Sequence, residues 1–346
     1  MHFHASNGII NNRTIRAYNA QKRGSDRKAD SFMYPTELNF QKDTFKLIQL
    51  TDIHLVHMDG AGPEQQTLDM IARMQAAEQP DLFVMTGDLL FSEENEKNLS
   101  IFCDFMDELG TPWAFVFGNH DREERFHFPT EKIEARLWQS KTCIYRHGER
   151  DVEGDGNYTV RLFDGEKLPW VLYMIDSHDY ISIAGHHPYA HIRHSQIEWY
   201  RRTRDALRGE FGKSSSLFFF HIPLPEYRNV WDEMECYGEK NEGVCSSYLN
   251  SGFFAALKED DSAKGTFVGH DHVNDYIGDY HGIRLAYGRG TGFSGDHRGA
   301  YSREGFRQGG RVILLNRDPS VPFQTYLWLA DGTVLEQPVH MPGSQQ

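Results

Sequence analysis

With 346 residues, of which 39% are hydrophobic and 25% charged, the chain can bury one large core or two smaller ones, and disorder is not its expected state. A formal net charge of -14 argues against polyanionic partners such as long nucleic acid, because a basic track is needed to displace their counterions. A small phosphate ester held by metal ions is compatible with that charge, and 18 histidines with 13% aromatic residues invite a search for metal ligands.

Residues 1 to about 40 are polar, with few large apolar groups, and read as an arm before a domain spanning 41 to 340. Met1 to Asp30 holds no apolar h-region, and no run of about 18 apolar residues occurs, so no membrane span and a cytoplasmic location are expected. Cys103, Cys143, Cys236 and Cys245 form no CxxC pair and no zinc-ribbon spacing; Cys103 and Cys143 read as reduced core thiols, while Cys236 and Cys245 are close enough in sequence for a loop disulfide, with reduced thiols the better reading.

Thr44 to Leu50 (TFKLIQL) reads as the first core strand and ends in Thr51-Asp52-Ile53-His54. Two apart on an extended backbone, Asp52 and His54 would share a face. Glu64 to Glu78 sets Leu68, Ile71 and Met74 at helical spacing and stops at Pro80, so it is a helix whose stripe is core. Asp81 to Met85 follows as a buried strand and breaks at Thr86-Gly87-Asp88. Glu94 to Leu109 is a second helix with a solvated acidic face. Thr111 and Pro112 lead into Trp113 to Phe117, an aromatic and β-branched strand that ends in Gly118-Asn119-His120-Asp121. Three strand-helix steps imply a sheet that is parallel in part, with crossovers on its faces.

Further on, Glu131 to Gln139 reads as a helix, and Asn157 to Phe163 and Trp170 to Ile175 as two strands joined through Asp164-Gly165. Ser195 to Arg208 is an amphipathic helix, with Ser195 as its cap and Glu198 three residues on. Ser216 to Phe220 is a fully apolar strand ending at His221. Asp232 to Ser251, rich in Gly, Cys and Asn, reads as a long loop over the site, ahead of a helix from Gly252 to Lys258. Thr266 to Val268 is a short strand that ends in Gly269-His270-Asp271-His272. Arg311 to Leu315 and Thr325 to Leu335, with Asp331-Gly332 as the turn, supply antiparallel strands.

Five apolar strands therefore end in polar signatures: Asp52/His54, Asp88, Asn119/His120, His221 and His270/His272. In open α/β sheets, ligands gather beyond the carboxyl ends of strands. A lone strand-end Asp or His is ordinarily a turn residue, but five in series are poorly explained that way. Carboxylate oxygens mixed with imidazole nitrogens suit Zn, Mn or Fe, whereas Ca and Mg prefer nearly all oxygen. Asp52, His54, Asp88, Asn119, His221, His270 and His272 are too many ligands for one ion that keeps room for water, and suit two ions sharing a carboxylate.

Taken together, these five motifs resemble the ordered set of the calcineurin-like metallophosphoesterases, over roughly Phe45 to His272. Phe220 to Tyr227 and Gly269 to Tyr276 resemble more narrowly the small purple-acid-phosphatase-like branch. The resemblance implies an α/β fold of four layers, two mixed sheets face to face and flanked by helices. It also implies a dinuclear site in which Asp52, His54, Asp88 and His272 hold one ion and Asp88, Asn119, His221 and His270 the other, with Mn, Zn and Fe all open. Asp88 would bridge. The implied reaction is hydrolysis of small phosphomonoesters or phosphodiesters by metal-bound hydroxide. The rivals are a protein phosphatase or nuclease of the same fold and a metal-binding protein without turnover.

Within that resemblance His120 is the catalytic residue that contacts the phosphoryl oxygen or leaving group, and an imidazole near neutral pKa can protonate a departing alkoxide. Asp121 or another carboxylate would orient it. Asn119, Arg122 and Arg289 are weaker candidates for binding substrate phosphate, and His178, His186, His187, His191 and His194 read as loop histidines. Purple acid phosphatases place a tyrosine three positions after the bridging aspartate. Here that position is Phe91, so no tyrosinate ligand to ferric iron is expected from it.

Overall fold

Strand Lys167–Met174 shows how the sequence specifies a layered interior: Trp170, Leu172 and Met174 join one hydrophobic core, while Val171 and Tyr173 between them join another. A strand whose two faces are both buried reads as a continuous apolar run, as this one does. The computed structural model describes residues 36–294 and 303–343, so residues 1–35 of the expected arm lie outside it.

In chain order the first half comprises β1 (Thr36–Asn39), β2 (Thr44–Leu50), α1 (Gly62–Glu78), β3 (Leu82–Thr86), α2 (Asn95–Leu109), β4 (Trp113–Val116), α3 (Thr130–Leu137), β5 (Tyr158–Asp164) and β6 (Lys167–Met174). The second half comprises α4 (His194–Phe211), β7 (Ser215–Phe219), α5 (Glu226–Glu233), β8 (Cys236–Tyr237), α6 (Phe253–Leu257) and β9 (Ala263–Val268). It ends in β10 (Ile277–Tyr280), β11 (Ile283–Tyr287), β12 (Gly309–Asn316), β13 (Gln324–Leu329), β14 (Val334–Leu335) and β15 (Val339–His340).

A six-stranded sheet runs β14-β13-β12-β2-β3-β4, and a nine-stranded sheet runs β1-β5-β6-β7-β9-β11-β10-β8-β15. Both are mixed. β2, β3 and β4 are parallel, as are β6, β7, β9 and β11, whereas β12 and β13 pair antiparallel. Leu172, Leu217, Phe219, Phe267 and Ala286 of the larger sheet share a core with Leu47, Val84 and Val312 of the smaller one. The opposite faces carry helices. Met70 and Met74 of α1 and Phe102 of α2 lie over the six-stranded sheet, and Tyr200, Tyr227 and Phe253 of α4, α5 and α6 pack with Tyr173, Phe218 and Leu285 of the nine-stranded one. The result is the expected four-layer α/β/β/α sandwich, with the carboxyl ends of the parallel strands of both sheets reaching the same polar cluster.

Some local readings differ from the structure. Ser195 is not the cap of α4: its hydroxyl goes to Glu153, and the buried Gln196 side chain accepts the Arg193 N–H at 2.6 Å to close the first turn. The stretch read as a loop from Asp232 begins inside α5 and contains β8. The hairpin β10–β11 carried no Asn-Gly signal because its turn uses His281 (φ 52°) and Gly282 (φ 82°). β1, inside the expected arm, pairs parallel with β5. All four cysteines are free. Among the described residues no helix is long and apolar enough to cross a membrane.

Candidate metal centre

β2, β3 and β4 deliver Asp52/His54, Asp88 and Asn119/His120 from one sheet, and β7 and β9 deliver His221 and His270/His272 from the other. Ligand atoms of Asp52, His54, Asp88 and His272 lie within 4.8 Å of one another, and so do those of Asp88, His221 and His270. Asp88 belongs to both groups. Asn119 joins the second through its Oδ1, 3.1 Å from His221 Nε2. Each of the seven side chains proposed from the sequence is therefore in this cluster, and each is buried.

The backbone is bent to make the cluster. Asp52 (φ 53°), His54 (φ 50°), Asp88 (φ 54°) and His270 (φ 77°) all adopt left-handed conformations, so Asp52 and His54 share the centre through two bends and not through an extended strand. Such conformations cost on the order of 1–3 kcal/mol each and concentrate at functional sites. Two glycines are required by close approach. A Cβ at Gly118 would sit 2.1 Å from Asp88 Oδ1, and one at Gly269 would sit 1.9 Å from Thr51 Oγ1. That is the physical content of the glycine that opens each of these motifs.

Burial dominates the electrostatics. It pushes the Asp52 carboxyl up to about 7, the His54 imidazole down to about 4, and His270 and His272 well below the usual histidine value. Burial would raise Asp88 as well, but the imidazoles of His221, His120 and His54 hold it well below the ordinary carboxylate value. His221 shows the reverse: burial would lower it, and Asp88 at 3.1 Å carries it up to about 9. In the chain alone His221 and Asp88 thus favour each other's charged forms, a role a bound cation would take over from the imidazole.

Several features fit metal binding. Asp88 Oδ2 and His270 Nε2 are buried without a hydrogen bond of acceptable geometry, which is costly unless something else satisfies them. His54 Nε2 and His272 Nε2 face each other at 3.2 Å, both on imidazoles that burial keeps neutral. His221 donates its Nδ1 proton to the Thr86 carbonyl at 2.8 Å, which turns Nε2 toward the centre, the arrangement usual for histidine ligands. The mixed O and N donor set suits Mn, Zn or Fe.

His120 stands beside this set with Nε2 3.9 Å from Asp88 Oδ2, and its pKa is raised because Asp88 and Glu123 outweigh burial. The orienting carboxylate is Glu123, which accepts from His120 Nδ1. Asp121 does not perform that task. Its two oxygens accept the backbone N–H groups of Asp88, Leu89, Leu90 and Gly118 at 2.8 to 3.0 Å.

The two arginines read as phosphate contacts are engaged elsewhere. Arg122 makes a two-pronged pair with buried Asp176 and reaches Asp155. Arg289, 2% exposed, is paired with Asp275 and covers the Phe306 ring. Of the loop histidines, His178 bonds Gln196, His186 and His187 are exposed, and none of the five belongs to either donor group.

Three residues without a motif of their own in the sequence, Glu123, Tyr180 and Tyr189, also border the cluster. Glu123 was signalled only by its position three residues after His120. Tyr180 contacts Asn119 Nδ2 through its hydroxyl at 3.3 Å, and Tyr189 packs edge-on to His270 at 4.3 Å. Phe91 packs edge-on against His120 and His54 at 4.7 and 5.3 Å.

Comparison with known proteins agrees with this geometry. The calcineurin-like phosphoesterase family model matches residues 45–274. The chain is 30% identical over 305 residues to "Probable inactive purple acid phosphatase 29" of Arabidopsis thaliana, covering 79% of this chain and 77% of that protein. It is 32% identical over 265 residues to "Phosphatase DCR2" of Saccharomyces cerevisiae, covering 67% of this chain and 44% of that one. A dimetal phosphatase from Danio rerio superposes with a TM-score of 0.52 over 81% of this chain and 98% of its own, at 14% identity. Purple acid phosphatase PPD1 from yellow lupin gives 0.53 over 88% and 54%, at 13% identity. At those identities the structural likeness speaks to the fold alone. With the family match running from β2 past the last of the donor histidines, the chain belongs to the calcineurin-like phosphoesterases, in their purple-acid-phosphatase-like branch.

Proposed function

We infer that the protein hydrolyses small phosphomonoesters or phosphodiesters at a dinuclear metal site. Asp52, His54, Asp88 and His272 would hold one ion and Asp88, Asn119, His221 and His270 the other, as Mn, Zn or Fe. The observation that carries this reading is the convergence of two buried donor groups on one shared carboxylate, Asp88, whose Oδ2 is left without a good hydrogen bond. Bound there, two ions would supply positive charge to the phosphoryl oxygens and lower the pKa of water.

The chain's own residues support the same chemistry. The backbone N–H of His120 donates to Asp88 Oδ1 at 2.8 Å, fixing the carboxylate so that Oδ2 faces the imidazoles. Glu123 holds Nδ1 of His120, which leaves Nε2 turned toward Asp88 and the cluster, positioned to give a proton to a departing oxygen. Phe91, His54 and His120 pack edge to face and restrict the imidazole to that direction.

A second reading, a metal-loaded protein without turnover, is favoured by the word "inactive" in the names of some relatives. The complete donor set here supports catalysis instead. Metal analysis of the purified protein together with hydrolysis of p-nitrophenyl phosphate and bis-p-nitrophenyl phosphate separates them. Two equivalents of metal with turnover of either ester supports the hydrolase, and two equivalents with none supports the binding protein. Salt-insensitive turnover of the monoester also counts against a nuclease.

A further inference from the structure

Residues 178–190 form a hairpin that ends beside the donor cluster. The Ala190 N–H donates to Asp179 O at 3.0 Å and the Ile181 N–H to Pro188 O at 2.9 Å, and the turn uses positive φ at Ala184 (49°) and Gly185 (81°). At the base of this hairpin Tyr180 and Tyr189 pair across the strands with their rings stacked, 5.4 Å apart and 26° from parallel. The base is pinned twice: the His178 N–H donates to Asp176, which Arg122 grips, and the Tyr248 N–H donates to Tyr189 O.

A cross-strand aromatic pair can exist only to stabilise its hairpin. Two observations point further. Tyr180 is 42% exposed although Tyr189 covers one of its faces. Each tyrosine also touches a member of the same donor group: the Tyr180 hydroxyl accepts from the Asn119 amide, and the Tyr189 ring packs against the His270 imidazole. The stacked pair thus begins one side chain away from where that group would hold a phosphate, and it offers a planar apolar surface to whatever is esterified to it.

Resting on the hydrolase reading above, we propose that Tyr180 and Tyr189 form a stacking platform for the organic half of the substrate, and that the substrate class is a small phosphoester bearing a planar aromatic ring, of the nucleoside monophosphate type. Aromatic side chains bind such rings through their faces with little regard to which ring it is. The net charge of -14 favours a single small nucleotide over a polymer. Arg122 contributes by fixing the base of the platform through Asp176, which is a positioning role.

The test compares adenosine 5′-monophosphate with ribose 5-phosphate, which would lose the same primary alkoxide and differ in the base. Binding to the metal-loaded protein is measured by titration calorimetry, and kcat/KM wherever turnover occurs, for the native protein and for Tyr180→Leu, Tyr189→Leu and Tyr180→Phe. The native protein is expected to prefer the nucleotide by roughly tenfold, the scale of one aromatic contact. The preference should collapse in both leucine variants and persist in Tyr180→Phe, which keeps the ring face. Equal affinity of the native protein for the two compounds, binding of neither, or a preference that survives both leucine substitutions would overturn the platform. Failure of the hydrolase reading looks different: p-nitrophenyl phosphate is not turned over, while the calorimetric preference for the nucleotide stands.

Discussion

Glu123 accepts the Nδ1 proton of His120 with one carboxylate oxygen and meets Arg125 Nε with the other. Nδ1 is thereby kept protonated and Nε2 is turned toward the cluster. His120→Ala should retain its metal while turnover falls by roughly 10² to 10⁴, the scale of a lost general acid. Glu123→Gln should fall by about 10-fold to 100-fold, as for other outer hydrogen-bond partners. Both losses should shrink for esters with good leaving groups. Rates measured across leaving groups of different pKa check this, and equal losses throughout would leave His120 with phosphate binding alone.

Asp88→Asn should weaken both metal sites together, since the same carboxylate serves both donor groups. Removing its charge leaves two close cations with less to offset their repulsion. Metal analysis after dialysis against a weak chelator should find well under two equivalents in the variant. Two equivalents held as tightly as in the native protein would remove the bridging assignment.

Phe91 lies against His54 and His120 and has no oxygen to coordinate iron. Two other tyrosines near the fourth and fifth motifs are committed elsewhere: Tyr276 Oη donates to Tyr227 O, and Tyr287 Oη to Asp271. The iron-loaded protein should therefore be nearly colourless, and Phe91→Tyr should introduce an intense visible band. Absorption spectra of the two after reconstitution decide the matter. A strong band in the native protein would implicate Tyr180, whose hydroxyl is beside Asn119.

The Arg122–Asp176 pair gives a pH-dependent contribution to stability. Burial pushes the Asp176 carboxyl up, but Arg122 and His178 outweigh it, so its folded value lies below the ordinary 3.8. The stabilisation is then fully present above about pH 4 and is lost as pH falls through the depressed folded value. Asp176→Asn should cost on the order of 3–5 kcal/mol at neutral pH, because it removes the buried carboxylate that Arg122 grips with two nitrogens and leaves Asp155 as its ion-pair partner among the described residues. Denaturant titrations at several pH values should show the native and variant curves converging in acid. A constant gap would mean that the pair's charge is not what stabilises the fold.

The strand ends were readable because each apolar run stops at a polar motif, and the parallel order of β2, β3 and β4 brings those stops to one edge. What stayed hidden depends on distant partners. Nothing near Tyr180 or Tyr189 in sequence indicates Asn119 or His270, since the contacts arise from where the hairpin falls against the loop after β4 of the other sheet and the loop after β9 of its own. Arg122 follows a ligand motif and looked like a phosphate contact, yet Asp176, 54 residues on, claims it. α5 was obscured by Pro223 and Pro225, although proline is well tolerated where a helix begins and Pro225 is here the residue before its first turn. The left-handed residues at Asp52, His54, Asp88 and His270 were legible only in part, as glycine-bearing motifs whose bends fall on their neighbours.

Asp121 binds four amides drawn from the exits of both β3 and β4. The two exits therefore cannot drift apart independently, and the separation between Asp88 and Asn119 is gauged by main chain, with side-chain rotamers adding little freedom. Asp121 acts as a spacer: it touches no proposed ion, yet it fixes the gauge on which both depend. Substitution there should behave like damage to the metal centre itself, with loosened ions and slowed turnover together.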